Sequence, residues 1–368
     1  MTRLTLPLFL VLTGCDLSAA FESYRDRFCA EQCAPGRACP ERCTLPGTED
    51  AGTSAKGPHA FFKTAGDDTF LVVHLQSNAG PGPAATTLLE ERRVADGELV
   101  AAEVLNQRGA VLSLGNRFEG ALTRAADGKS VTLGASPPSA SMQLQEATMA
   151  HRIVSVRRGE LDVSRVLTGY AQEPLFAVAT ADETTFWAVG ATPGALRELP
   201  SDAGASRLLA SRTGDEQWTT LQVADGRLFA STIELESRIE DLGAVQAIGV
   251  ATPVVRFDVN RSVTSFAFVD TDLEAGVDTL FVAERNSVWR FARDGGAWEP
   301  RWEFPQDQLD RCVFLAARRE GPLLCSTEFA LFRFDEVDDG GVERRLLFAR
   351  TFDGGADAFR GVAFPPSP

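Results

Sequence analysis

Histidine is nearly absent from this chain: His59, His74 and His151 are the only three. A hydrolytic triad needs an imidazole beside a Ser or Cys nucleophile and an orienting acid, and no local spacing around these residues supplies one. His59 stands where a polar linker ends and His151 opens a strand candidate. His74 lies inside the apolar run Phe70-Leu-Val-Val-His-Leu75 and reads as a core or strand-face residue. Equally absent are a P-loop, a G-x-G-x-x-G after a strand, H-E-x-x-H and G-x-S-x-G, which removes the signatures of several large enzyme classes. Lysine occurs only at positions 56, 63 and 129, and the formal net charge is -15. An acidic surface repels phosphate, so nucleic acid is excluded as a partner. The acidic residues are scattered, as on a solvated surface. With 44% hydrophobic and 24% charged among 368 residues, the chain has the composition of a folded protein with a sizeable core. No long amphipathic helix is evident.

The N-terminus carries the most specific signal. Arg3 precedes the mostly apolar run Leu4 to Leu12, which is too short to span a membrane, and Leu12-Thr13-Gly14-Cys15 follows. A basic start, an apolar centre and small residues at the cut describe a secretory signal. The tetrapeptide resembles the lipobox of bacterial lipoproteins. That resemblance implies acylation of Cys15, cleavage before it and a lipid tether to the cell envelope, the leaflet being left open. Residues 1–14 are then the signal peptide.

Seven cysteines are an odd number for an exported chain, and assigning Cys15 to the lipid leaves six. Cys29, Cys33, Cys39 and Cys43 form two C-x3-C pairs separated by Pro35-Gly36. Residues i and i+4 share a helix face, and Pro-Gly breaks a helix. Two short helices folded as a hairpin would join Cys29 to Cys43 and Cys33 to Cys39, a nested pattern that resembles the stapled helical hairpins of small secreted peptides. A segment this short needs crosslinks in place of a core. Pairing Cys29 with Cys33 and Cys39 with Cys43 fits the same spacing. A four-thiolate zinc site is a competing arrangement, though zinc ligand pairs are usually closer and export favours disulfides. Cys312 and Cys325 lie in adjacent strand candidates, where a cross-strand disulfide is expected; two buried free thiols are the alternative.

Residues 44–58 contain almost nothing apolar and read as a flexible linker between the cysteine segment, 15–43, and a main domain, 59–368. That domain is organised around the stretch from Val263 to Phe304. It holds four strand candidates, 264–270, 278–284, 287–293 and 297–304, rich in aromatic and β-branched residues and separated by turn residues. Asp294-Gly295-Gly296 supplies the positive-φ positions of a tight hairpin, and Asp338-Asp339-Gly340-Gly341 repeats it later. Four antiparallel strands in about forty residues is one propeller blade. Phe186, Phe229, Phe281 and Leu324 recur at spacings of about 43, 52 and 43 residues, within the blade range. Segments 118–123, 130–134 and 151–156 suggest an earlier repeat, and 61–94 a first one. About 310 residues at roughly 44 per blade gives seven blades, while about six repeats can be pointed to. The insertion Glu234 to Gln246 has helix-like spacing or forms a long outer strand.

The C-terminal Ala358-Phe-Arg-Gly-Val-Ala-Phe-Pro365 resembles the Phe-Arg-Gly-Val-Ala-x-x-Pro ending of secreted bacterial propellers. That resemblance implies a last strand completing a blade begun at the opposite end, which closes the ring. The whole chain is similar to the propeller lipoproteins of myxobacteria. Asp294-Gly-Gly-Ala-Trp298 resembles the Asp-box turn of sialidase-type propellers, a structural hairpin rather than an active site. The expected fold is therefore all-β: a propeller of four-stranded antiparallel blades, seven or six, preceded by a small disulfide-stapled helical hairpin. A pair of β-sandwiches is the alternative fold.

One acidic stretch spaces oxygen ligands for calcium: Asp270, Asp272, Glu274 and Asp278. It departs from an EF-hand loop, with Ala275 at the turn glycine and Phe281 at the bidentate Glu. No other cofactor is indicated. The functional expectation is a lipid-anchored envelope protein whose propeller is a non-catalytic scaffold for a protein or glycan partner. The alternative is a metal-dependent hydrolase or lactonase with its site at the central channel.

Overall fold

The computed structural model describes residues 68–76, 86–105, 121–136, 151–157, 160–167, 175–190, 194–200, 206–212, 217–233, 237–257, 262–269, 277–294, 296–306, 311–319, 321–337, 341–349 and 358–366. Twenty-four strands in these residues form six four-stranded antiparallel sheets. Blade 2 contains β4 (Thr123–Arg124), β5 (Ser130–Ala135), β6 (His151–Arg157) and β7 (Glu160–Leu167). Blade 3 contains β8 (Leu175–Thr180), β9 (Thr185–Gly190), β10 (Ala195–Pro200) and β11 (Arg207–Ser211). Blade 4 contains β12 (Gln217–Ala224), β13 (Arg227–Ile233), β14 (Arg238–Ala244) and β15 (Ala247–Arg256). Blade 5 is the organising stretch: β16 (Val263–Val269), β17 (Thr279–Glu284), β18 (Ser287–Asp294) and β19 (Ala297–Pro305). Blade 6 contains β20 (Phe314–Ala316), β21 (Leu323–Ser326), β22 (Ala330–Glu336) and β23 (Val342–Ala349).

Blade 1 is built from both ends of this domain. Its sheet runs β24 (Ala358–Ala363), β1 (Thr69–Gln76), β2 (Thr86–Arg93) and β3 (Leu99–Val104), so the last strand of the chain is the innermost strand of the first blade. The resemblance of the C-terminal segment anticipated this closure, and the structure gives its physical basis. Phe359 and Val362 are buried in the seam between blades 1 and 6, while Arg360 is half-buried. Gly361 adopts φ +102°, and a Cβ there would lie 2.8 Å from the backbone nitrogen of Leu122. The pairing of β24 with β1 shifts register at this point, between Val72 and His74. Only glycine fits a bulge that both reverses φ and brings backbone against backbone.

Each pair of adjacent blades shares one apolar layer, because both faces of every inner strand are covered. Blades 1 and 2 meet at Leu71, Val73, Leu133 and Val154. Blades 2 and 3 meet at Ile153, Leu175 and Phe186, and blades 3 and 4 at Val189, Leu221 and Leu228. Blades 4 and 5 enclose Phe229, Phe266, Phe268 and Val282; blades 5 and 6 enclose Val288, Leu315 and Phe332; blades 6 and 1 enclose Phe70, Val72, Leu324 and Phe359. Burying each such side chain stabilises the ring by about 1.5–3 kcal/mol before entropy is counted. The inner strand edges are tied by side chains from the next blade. Thr264 Oγ1 donates to Cys312 O at 2.8 Å, Leu315 N donates to Ser265 Oγ at 3.1 Å, and Thr132 Oγ1 donates to Val178 O at 3.0 Å.

The number of blades is six, not seven. Inner strands begin at residues 123, 175, 217, 263, 314 and 358, which is 42 to 52 residues apart, so a divisor of about 44 overcounts. The segment from 234 to 246 is not helical where it is described: it contributes β14, the third strand of blade 4, which pairs antiparallel with β13 and β15. The cysteine segment expected as a helical hairpin, the signal peptide and the linker lie outside the described residues.

Candidate functional site

The outer strands of blades 3 and 4 diverge and leave a groove of about 500 Å³. Blade 3 contributes Leu196, Ala210, Ser211 and Arg212; blade 4 contributes Trp218, Arg238, Glu240, Leu242, Ile248, Gly249, Ala251, Pro253 and Arg256. The gap arises from unequal edges. β11 has five residues, whereas β15 has ten and pairs with β14 through two register shifts. Strands of such different length cannot cover one another.

Glu240 organises the floor of the groove. Its side chain is 2% exposed. It accepts hydrogen bonds from Trp218 Nε1 at 3.0 Å and Arg238 Nε at 2.7 Å, and it pairs with Arg212. Burial pushes its carboxyl pKa up. The bonds from Arg238 and Trp218 and the charge of Arg212 outweigh that and hold it below the ordinary carboxylate value. The Arg212 guanidinium also lies 4.7 Å above the Trp218 ring, a cation–π contact that covers the indole face. Arg238 and Glu240 fall two residues apart on one strand and therefore share a face. Arg238 is directly opposite Arg256 on β15, and both arginines line the groove.

A second buried polar cluster lies between blades 1 and 6. His74 is fully buried, and its Nδ1 donates to Glu90 Oε1 at 2.7 Å. Glu90 Oε2 accepts from Arg92 Nε at 2.8 Å; Arg92 also donates to Gly97 O at 2.8 Å and stacks 4.1 Å from the Phe348 ring of blade 6. Burial pushes the Glu90 pKa up, and the charge of Arg92 with the contacts from His74 overcomes this and holds it far below the ordinary range. With His74, Glu90 and Arg92 at most 4% exposed, this triad is a crosslink within the ring and not an accessible acid–base pair.

Of the residues singled out from sequence, Cys312 and Cys325 are brought together as the expected disulfide, with Cα atoms 5.6 Å apart. Cys312 lies just before β20 rather than within a strand. Asp278 is half-buried immediately ahead of β17, while Asp270, Asp272 and Glu274 lie outside the described residues, as do Cys15, Cys29, Cys33, Cys39 and Cys43. Among the described residues no group of three or more His, Cys, Asp and Glu is placed to hold a metal ion. The ring centre is narrow at one level, where Thr123 Oγ1 of blade 2 donates to Leu221 O of blade 4 at 3.5 Å. Sequence reasoning missed the groove entirely. A recoverable signal existed: an acid and an arginine two residues apart recur in third strands, as Glu90 with Arg92, Arg238 with Glu240 and Arg333 with Asp335.

No protein-family model matches the chain, and no curated protein matches it. Among solved structures, 959 chains match it. One, from a structure titled "Crystal structure of Nidogen/Laminin Complex", aligns with a TM-score of 0.50 at 10% identity, covering 80% of this chain and 97% of that one. At that identity the likeness concerns the fold alone. The chain is a six-bladed β-propeller. A fold so widely shared hosts many activities, and function has to be argued from the sites on this ring.

Proposed function

We propose that this propeller is a non-catalytic binding scaffold, held at the cell envelope by a lipid on Cys15, and that it engages a protein or glycan partner through its loops and rim. The observation that carries this reading is the state of the buried carboxylate in the groove. Glu240 is held by three donors and stays ionised, so it positions arginines instead of moving protons or binding a metal. The fold suits the role, since a ring sealed by β24 gives a rigid platform. The similar chain comes from a structure whose title names a nidogen–laminin complex, and membership of a protein complex is the property this reading borrows. The lipobox resemblance supports the anchor.

The test is chemical crosslinking in intact envelopes, followed by recovery of the native chain and of a Cys15→Ser form. A partner recovered with the native chain and lost with Cys15→Ser is the expected result. Failure to recover any partner with the native chain would overturn the scaffold reading, and turnover of a lactone or ester by the purified chain would favour the enzyme alternative.

A further inference from the structure

We infer that the groove between blades 3 and 4 binds an extended acidic peptide segment, placing a carboxylate between Arg238 and Arg256 and aliphatic side chains along β15. This rests on the scaffold reading and names the surface and the chemistry of the partner.

Charge is the first argument. The chain carries a formal net charge of -15, yet this groove is lined by Arg212, Arg238 and Arg256 against the single carboxylate of Glu240. Like charges directly opposite on neighbouring strands repel, and Arg238 and Arg256 are such a pair. Arg238 has Glu240 as a counter-ion, whereas Arg256 is exposed at the edge of the groove. A carboxylate between the two guanidinium groups would relieve the repulsion and form charge-assisted hydrogen bonds.

Shape is the second argument. The lining follows β15 from Ile248 to Arg256, roughly 25 Å of strand, which suits a long occupant better than a compact one. Ile248, Ala251 and Pro253 provide an aliphatic wall for the side chains beside the carboxylate. A sugar ring would need an open aromatic face. Trp218 offers none, being 3% exposed and covered by Arg212. An extended peptide meets both requirements, as in recognition along strand edges.

The test is fluorescence anisotropy on the full chain, using a labelled peptide of alternating Glu and Val and a companion with Gln in place of Glu. The Glu peptide is expected to bind, the Gln peptide about 10-fold more weakly, and added salt to weaken the first more than the second. Arg256→Glu should weaken the Glu peptide about 10-fold, while Arg301→Glu, the same charge change at an exposed position on blade 5, should leave it unchanged. Equal binding of the two peptides, or no effect of Arg256→Glu, would overturn the proposal. So would binding of oligogalacturonate without the peptide, or self-association of the native chain that Arg256→Glu abolishes. In envelope crosslinking, a partner recovered equally by the native and Arg256→Glu chains overturns the groove and leaves the scaffold standing. No partner with the native chain overturns the scaffold itself.

Discussion

Replacing Glu90 by Ala should cost this ring more than any surface substitution, because it strips the counter-ion from a buried arginine. Arg92 is 4% exposed and cannot reach water; without Glu90 it keeps Gly97 O and the Phe348 ring, neither of which carries a full negative charge. His74 Nδ1 loses its acceptor in the same step. Removing one partner of a buried ion pair costs about 3–5 kcal/mol. Glu90→Gln keeps the shape and one acceptor but not the charge, so a loss of about 2 kcal/mol is expected. The double change Glu90→Leu with Arg92→Met should recover most of the loss, since an apolar pair leaves no charge behind. The dependence on pH has a definite sign. The folded-state pKa of Glu90 is depressed, so its contribution is complete above the ordinary carboxylate value near 4.3 and is lost as pH falls below it. The gap between native and Glu90→Gln should therefore narrow only in acid. Urea unfolding of each full-length variant at neutral and acidic pH measures all of this. A Glu90→Ala protein within about 0.5 kcal/mol of native would refute the reasoning, because it would mean Arg92 is solvated or otherwise neutralised.

Reduction, or replacement of both Cys312 and Cys325 by Ala, opens a short loop between residues 13 apart and should lower stability by about 3 kcal/mol, read as a shift in the urea midpoint. Gly361→Val should lose at least about 3 kcal/mol or fail to accumulate, since it combines a strained φ with a clash on Leu122; Gly226→Ala, at a positive φ but with open space around it, should cost only about 1 kcal/mol. Arg212→Ala should expose and shift the fluorescence of Trp218, which that guanidinium covers, while thermal melting changes by a few degrees.

Much of the fold was legible because a propeller buries both faces of its inner strands. Val263–Val269 and Thr279–Glu284 are almost wholly buried, and such aromatic and β-branched runs stand out from their turns. Blade 2 was harder to see: its inner strand is only Thr123–Arg124, too short for any periodicity. Outer strands such as Ala297–Pro305 are largely exposed, and their pattern is carried by tryptophans rather than by a continuous run. The closure was readable from Phe359, Gly361 and Val362, because one bulge dictates those residue types. The acidic residues misled. Taken together they read as solvated surface, yet Glu90, Glu91, Glu240 and Glu284 are all at most 2% exposed. Composition does not reveal their partners, some on other strands and some two residues along the same one: Thr69 Oγ1 donates to Glu91 at 2.8 Å, Trp218 reaches Glu240 from two strands away, and Arg92 donates to Glu90 at 2.8 Å. The groove lies between two outer strands distant in sequence, so the spacing of Arg238 and Glu240 marks its floor but not its walls.

The most direct test of a rim-binding scaffold is photocrosslinking in living producing cells. A benzophenone amino acid would replace Gly249, which lines the groove, or Glu299, exposed on the outer strand of blade 5. A discrete protein adduct from position 249 that is missing from position 299 is the expected result. No adduct at 249, or the same adduct from both positions, would contradict the account.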